Sequence, residues 1–282
     1  INKRIKLIMA YTTVPKSTDY FTPKLYTGNG GTQTISGIGF EPSFVWFKTR
    51  SATSHMLQDA VRGTTKFLES NTNSADQTSS DGISSFNSDG YAIGANGRLN
   101  SNGTSMVSWN WKANGQGSSN TAGSINTTYT SASTTSGFSI STYTGTGANA
   151  TVGHGLGVAP KMIIVKRLDV TSSWRCYHAS LGNTKNIVLN TNNAVATSST
   201  MWNNTSPTST TFSLGSYDEV NGSSAPHVAY CFADVKGYSK IGSYVGTGNA
   251  NGPFQFLGFK PSWVLIKNTQ ANETWMLYDD KR

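Results

Sequence analysis

The chain has 282 residues and a net charge of +8, yet only 36 residues are charged (22 basic plus 14 acidic), 13% against about a quarter in ordinary soluble domains. Leu, Glu, Lys and Ala, the residues that lose least on entering a helix, are scarce, which excludes a helical protein. The 36% hydrophobic and 11% aromatic content excludes a disordered tail, so 73 Ser and Thr residues leave strands joined by polar turns.

In chain order, residues 1–9 carry too short an apolar stretch for a signal peptide, and no run approaches the roughly eighteen residues of a membrane span. Membrane insertion is not expected. The densest basic patch is Lys3, Arg4 and Lys6; without these three the charge falls from +8 to +5, and the rest is spread along the chain. That distribution argues against a nucleic-acid partner.

From Tyr26 onward one pattern occurs three times. Tyr26-Thr27-Gly28-Asn29-Gly30 leads to Gly39-Phe40-Glu41-Pro42 and Val45-Trp46-Phe47-Lys48. Tyr143-Thr144-Gly145-Thr146-Gly147 leads to Gly157-Val158-Ala159-Pro160 and Ile163-Ile164-Val165-Lys166. Tyr244-Val245-Gly246-Thr247-Gly248 leads to Gly258-Phe259-Lys260-Pro261 and Val264-Leu265-Ile266-Lys267. The first two copies also match at Arg62–Lys66 with Leu181–Lys185, and at Val107–Ala113 with Val228–Ala233.

Each copy reads as short strands: a buried apolar run closed by a lysine, a short connection, then His55–Asp59, Trp174–His178 or Trp275–Asp279. Trp109 and Trp111, like Tyr230 and Phe232, alternate onto one face of a late strand. The expected fold class is all-β, with tandem jelly-roll or lectin-like β-sandwich modules, as separate beads or interlocked. The division is an N-terminal segment 1–20, a first sandwich 21–114, a Ser/Thr/Gly-rich linker or edge strand 115–137, a second sandwich 138–237, and the start of a third, 238–282. The Ser, Thr, Asn and Gly excess is expected in turns and on exposed strand faces. Because the third copy stops early in its pattern, a longer natural product is expected.

The repeat tests the candidate chemistry internally. His55 stands where the other copies have Trp174 and Trp275, His178 where they have Asp59 and Asp279, and His227 opposite Met106; with His154, none has ligand spacing, so surface or packing roles are expected. Cys176 aligns with Leu57 and Leu277 and reads as core, and with Cys231 allows at most one bridge. Asp76, Asp81 and Asp89 have no acidic counterparts in the second copy, which argues against calcium. Asp59 with Arg62 and Asp279 with Arg282 read as turn-fixing ion pairs, since no second acid recurs for hydrolysis. The Gly28–Gly31 and Gly145–Gly147 turns lack the Lys-Ser/Thr and helix of a phosphate loop. Trp202 is the expected exposed ligand-binding residue, placed to stack on a sugar ring. No cofactor, metal or catalytic residue is expected.

The strings Gly39–Lys48, Phe86-Asn87-Ser88-Asp89-Gly90-Tyr91, Val107–Ala113 and Ala229–Ala233 resemble a repeated domain of virion proteins from marine tailed bacteriophages, cyanophages among them. The resemblance covers the chain from Met9, and implies that residues 1–8 are leader, with Arg4 encoded by a ribosome-binding site. It implies a non-enzymatic tail-fibre-like or head-decorating component located in the virion. Other virion proteins are the implied partners; a host-surface glycan is expected because a polar, low-charge surface of hydroxyls and amides suits sugars, as it also suits a structural spacer, and fibres of this kind are often homo-trimers. The rival expectations are a sandwich-fold polysaccharide depolymerase and a cellular secreted adhesin.

Overall fold

A computed structural model describes residues 12–51 and 53–282, so the leader expected at residues 1–8 lies outside the described residues. Among the described residues the protein is nearly all β, with several sheets, no closed barrel, two four-residue α-helices and one 3-10 turn at Ser17–Asp19.

The first copy contributes β1 (Phe21–Thr27), β2 (Gln33–Ser36), β3 (Phe44–Thr49), β4 (Met56–Asp59), β5 (Lys66–Phe67) and β6 (Gln77–Thr78). It continues with β7 (Ile83–Asn87), β8 (Gly90–Ile93), α1 (Gly97–Asn100) and β9 (Ser105–Trp111). Its main sheet has the order β1-β9-β3-β4, and β2-β8-β7 forms a second layer. The second copy supplies β10 (Tyr129–Ser133), β11 (Phe138–Thr144), β12 (Ala150–Gly153), β13 (Met162–Arg167), β14 (Arg175–His178) and β15 (Lys185–Val188). After these come β16 (Ala196–Thr197), β17 (Thr211–Leu214), α2 (Asp218–Asn221) and β18 (Pro226–Phe232). Its main sheet runs β10-β11-β18-β13-β14-β15-β16, with β12-β17 as the second layer. Strand β10 lies within the Ser/Thr/Gly-rich stretch and pairs with β11 as an edge strand. The third copy contributes a two-stranded sheet, β19 (Trp263–Ile266) with β20 (Met276–Asp279).

The repeat is carried into the strand registers. Phe44 stands opposite Asp59, Met162 opposite His178 and Trp263 opposite Asp279; Trp46 pairs with both Leu57 and Trp109, as Ile164 does with Cys176 and Tyr230. Because side chains alternate along a strand, every main sheet has two apolar faces. Val45, Phe47 and Met56 face the second layer of their own copy, as do Ile163, Val165 and Tyr177. The opposite faces meet in one core: Phe44, Trp46, Trp109 and Trp111 pack with Phe138, Ile164, Trp174 and Tyr230, and Trp263, Leu265, Trp275 and Leu277 pack against them. The copies are therefore interlocked by a shared core, not strung as beads.

With both faces covered, polar strand residues end up inside, contrary to the expectation that they mark exposed faces. Ser108, Asn110, Ser139 and Ser141 are fully buried. Tyr91 Oη donates to Ser108 Oγ at 2.7 Å, and Asn110 Nδ2 donates to Thr22 O at 2.8 Å and Ser108 Oγ at 3.0 Å.

The glycine turns after β1 and β11 are locked from below by one asparagine each. Asn100 Oδ1 accepts from Asn29 N at 2.9 Å, while its Nδ2 donates to Gly31 O at 2.6 Å and Gly94 O at 2.8 Å. Asn221 repeats this, accepting from Thr146 N at 2.8 Å and donating to Gly215 O at 2.9 Å and Ala148 O at 2.5 Å. A Cβ on Gly28 or Gly145 would stand 2.2 Å from Ser101 O or 2.3 Å from Gly222 O, so only glycine lets the turn reach its clamp. Both asparagines are fully buried, and removing either amide strands several backbone groups. We expect Asn100→Ala or Asn221→Ala to cost about 3 kcal/mol. Urea denaturation measures this, and a change below about 0.5 kcal/mol would refute the clamp.

Candidate functional site

The groups singled out by chemistry are mostly consumed by packing. His154 accepts Leu156 N at Nδ1 (3.2 Å), which leaves Nε2 to donate to Thr208 O (3.2 Å). His227 bonds Ala225 O at 2.9 Å and stacks on Tyr143 with centroids 5.1 Å apart. His55 Nδ1 accepts Trp46 Nε1 at 2.8 Å, and His178 Nδ1 accepts Ser180 N at 3.2 Å. Cys176 and Cys231 are both free, and burial pushes both thiols up to about 12. Cys176 faces the shared core and Cys231 the second layer, so no bridge joins them.

Asp89 accepts Gly37 N (2.9 Å) and Gly39 N (2.7 Å), and these hydrogen bonds hold its carboxyl below the usual range. Asp81 is held down first by the Ser79 hydroxyl and then by Asn96. Asp76 joins Arg62, so the three acids serve three separate contacts. No group of three metal-ligating side chains occurs among the described residues.

Trp202 is where the structure corrects the expectation. It is 1% exposed, set edge-on to Tyr177 with Nε1 donating to Lys185 O at 3.0 Å, and offers no face to a sugar. Asn203 and Asn204 follow with φ of 51° and 48°, a left-handed pair within a turn that Thr205 N closes by donating to Trp202 O at 3.0 Å. Asparagine tolerates that region because its short side chain can bond locally, so the Asn-Asn pair was the signal for a turn.

Ionisable groups gather at the seams between copies. Asp59, fully buried, accepts Arg62 at 2.7 Å and Tyr230 Oη from the second copy at 2.7 Å, and Arg62 Nη1 also reaches Asp76 at 2.7 Å. Burial works against the Arg62 charge, but Asp59, Tyr230 and Asp76 together keep its pKa above the ordinary arginine value. Burial raises Asp76 despite Arg62 and Lys66. At the other seam Asp279 accepts Trp109 Nε1 at 3.2 Å, and the Arg282 guanidinium lies 5.1 Å from the Trp109 ring centre. The Asp59 arrangement is paired and closed, without room for a substrate, whereas Arg282 at the other seam borders an open space of about 380 Å³.

An open groove of about 440 Å³ lies beside β10. Its lining is neutral and polar, including Asn114, Ser118, Ser119, Asn120, Thr121 and Thr130. The Ser118–Thr130 bridge fixes its floor: each amide donates to the other's carbonyl, at 3.2 and 2.6 Å. A hydroxyl chain runs beneath, Thr127 to Thr130 at 2.9 Å, Thr130 to Ser141 at 3.0 Å, and Ser141 to Gly153 O at 3.1 Å. Asn120 is held by N to Thr127 Oγ1 (2.8 Å) and by Oδ1 accepting Ala122 N (2.9 Å); among the described residues its Nδ2 has no partner. A Cβ on Gly153 would stand 2.2 Å from Asn120 Oδ1, so glycine makes room for this side chain. Sequence reasoning treated residues 115–137 as linker or edge and missed the groove, because its lining comes together only through β10 pairing; Asn120 among small residues was the available signal.

A family model described as a domain of unknown function, DUF7483, matches residues 16–282, and the chain belongs to that family. No curated protein and no solved structure matches it.

All four histidines are held below their ordinary value of 6.5, by burial first, and His55 falls to about 4 with Lys48 and Arg282 adding to the effect. The folded state thus keeps His55 neutral while the unfolded chain takes a proton, so stability present above pH 6.5 is lost as the pH falls towards 4. We expect the melting temperature to drop across that window. His55→Gln, which retains an acceptor for Trp46, should flatten part of the drop; an unchanged slope would assign it to other groups.

Proposed function

We propose that this member of the family is a non-enzymatic bacteriophage virion protein, tail-fibre-like or head-decorating, whose tandem jelly-roll-type sandwiches present a host-surface glycan site. The observation that carries the reading is the neutral open groove beside β10, lined by hydroxyls and amides and held by backbone pairing. Hydroxyls that both donate and accept, with amide donors at Asn114 and Asn120, match the alternating donors and acceptors of an uncharged sugar. Asn120 takes the role first given to Trp202. The likeness of Gly39–Lys48 and Val107–Ala113 to phage virion repeats supports the virion assignment. The core that the three copies share within one chain supplies internally what a homo-trimer would supply, so the reading needs no trimer. The partners are other virion proteins and the glycan, and the location is the phage particle.

Glycan arrays followed by titration calorimetry test the site. Binding of neutral saccharides is expected, weakened about tenfold by Asn120→Ala, the loss of one or two hydrogen bonds. No binding at millimolar sugar would leave a structural spacer, and loss of viscosity from a polysaccharide solution would favour a depolymerase. Portal, capsid or tail genes beside the source gene are expected; secretion genes would favour an adhesin.

A further inference from the structure

The seams between copies obey one rule. Trp174 Nε1 of the second copy donates to Glu69 O of the first (3.0 Å), and Trp275 Nε1 of the third donates to Val188 O of the second (2.9 Å). Asp76 N reaches Leu168 O (2.8 Å), and Val195 N reaches Thr269 O (3.1 Å). Lys166 Nζ contacts Asn73 O (3.5 Å), and Lys267 Nζ contacts Asn192 O (3.1 Å). Glu69 and Val188, Asp76 and Val195, and Asn73 and Asn192 are each 119 positions apart, while Trp174 and Trp275, Leu168 and Thr269, and Lys166 and Lys267 are each 101 apart. The copies thus follow one another head to tail, and Asp279 on Trp109 returns the third to the first. The packing is cyclic.

Against that rule, the third copy lacks one strand among the described residues. In the first two copies the central neighbour of β3 or β13 is an antiparallel late strand, β9 or β18, whose aromatics face the shared core. The matching strand β19 pairs with β20 only, and its other edge is open. Trp263 Nε1 is buried there without a hydrogen-bond partner. Met276 and Tyr278 of β20 are 47% and 53% exposed on the opposite face, the one that a second layer covers in the first two copies, where Met56 and Tyr177 are 0% and 3%. Next to Lys48, where the other two lysines meet asparagine carbonyls, lies a cavity of about 380 Å³.

We infer that the open edge of β19 takes an antiparallel strand of the β9 and β18 type, the late strand of a third repeat, with an aromatic residue opposite each of Trp263 and Leu265. Both existing seams of this kind place the late-strand aromatic against the last residue of the preceding copy's fourth strand: Tyr230 on Asp59, Trp109 on Asp279. The counterpart in the second copy is His178, which faces the position opposite Leu265. Its Nδ1 already accepts Ser180 N, so the neutral ring presents Nε2–H as a donor. An indole N–H cannot accept that hydrogen; a phenol oxygen can. The residue opposite Leu265 is therefore tyrosine, as in β18, not tryptophan, as in β9.

The test uses the full chain and a synthetic peptide with the sequence of residues 226–233, which places its tyrosine opposite Leu265 when its phenylalanine lies opposite Trp263. Saturable binding is expected, with slowed amide exchange at residues 263–266. Replacing the peptide's tyrosine by phenylalanine should weaken it about tenfold, and in the chain variant His178→Ala the two peptides should bind alike. Replacing both aromatics by serine should abolish binding. Absence of binding at millimolar peptide, equal binding of the serine peptide, protection confined to other strands, or dimerisation of the free chain through residues 263–266 would each overturn the inference. The readouts involve no sugar, so they stand apart from the glycan site.

Discussion

The architecture depends on burying both faces of each main sheet. Phe44 shows the constraint most directly: its ring lies 4.7 Å from Tyr230 and 5.9 Å from Phe138, both in the second copy, while its neighbour Val45 faces the first copy's own second layer. A sheet covered on one side can face water on the other, but these strands cannot, so each copy needs the next to close its core. Removing a core aromatic such as Phe44 is the kind of change that costs about 3–5 kcal/mol, and here the loss falls on two copies at once.

Double coverage explains the placement of charge. An ion pair under two sheets survives only if its partners are satisfied, and Asp59, Arg62, Asp76 and Tyr230 achieve this across a seam. The same demand recurs at the lysine that closes each apolar strand. Lys166 is fully buried, with Nζ donating to Arg167 O and Ser172 O at 2.8 Å each, and burial lowers it to about 8. A lysine fits because its three donors meet loop carbonyls that would otherwise be stranded. Arg62 and Lys166 are strongly shifted as seam fasteners, while Cys231 and Tyr91 are shifted by burial within their own copies, so a perturbed pKa in this fold marks packing.

The open groove lies where coverage ends. Strand β10 lengthens the second copy's sheet at its edge, and the segment before it bridges β10 at Ser118 and Thr130. Small hydroxyl and amide residues suit that position, since they saturate one another beneath and leave polar atoms above.

Alternation and repetition, properties of the sequence alone, determined the strand class, the three copies, the core status of Cys176 and the equivalence of His178 with Asp59. Those follow because period-two burial and internal matching need no knowledge of distant neighbours. Trp202 and Ser108 were not legible in this way: a tryptophan among polar residues reads as exposed, and a serine between tryptophans reads as outward, until a second sheet covers them. The clamps at Asn100 and Asn221, the seam of Asp59 with Tyr230 and the groove at Asn120 were decided by tertiary structure only, because each joins residues whose proximity arises from sheets packing on sheets, and one-dimensional patterning does not encode which face a neighbouring copy will cover.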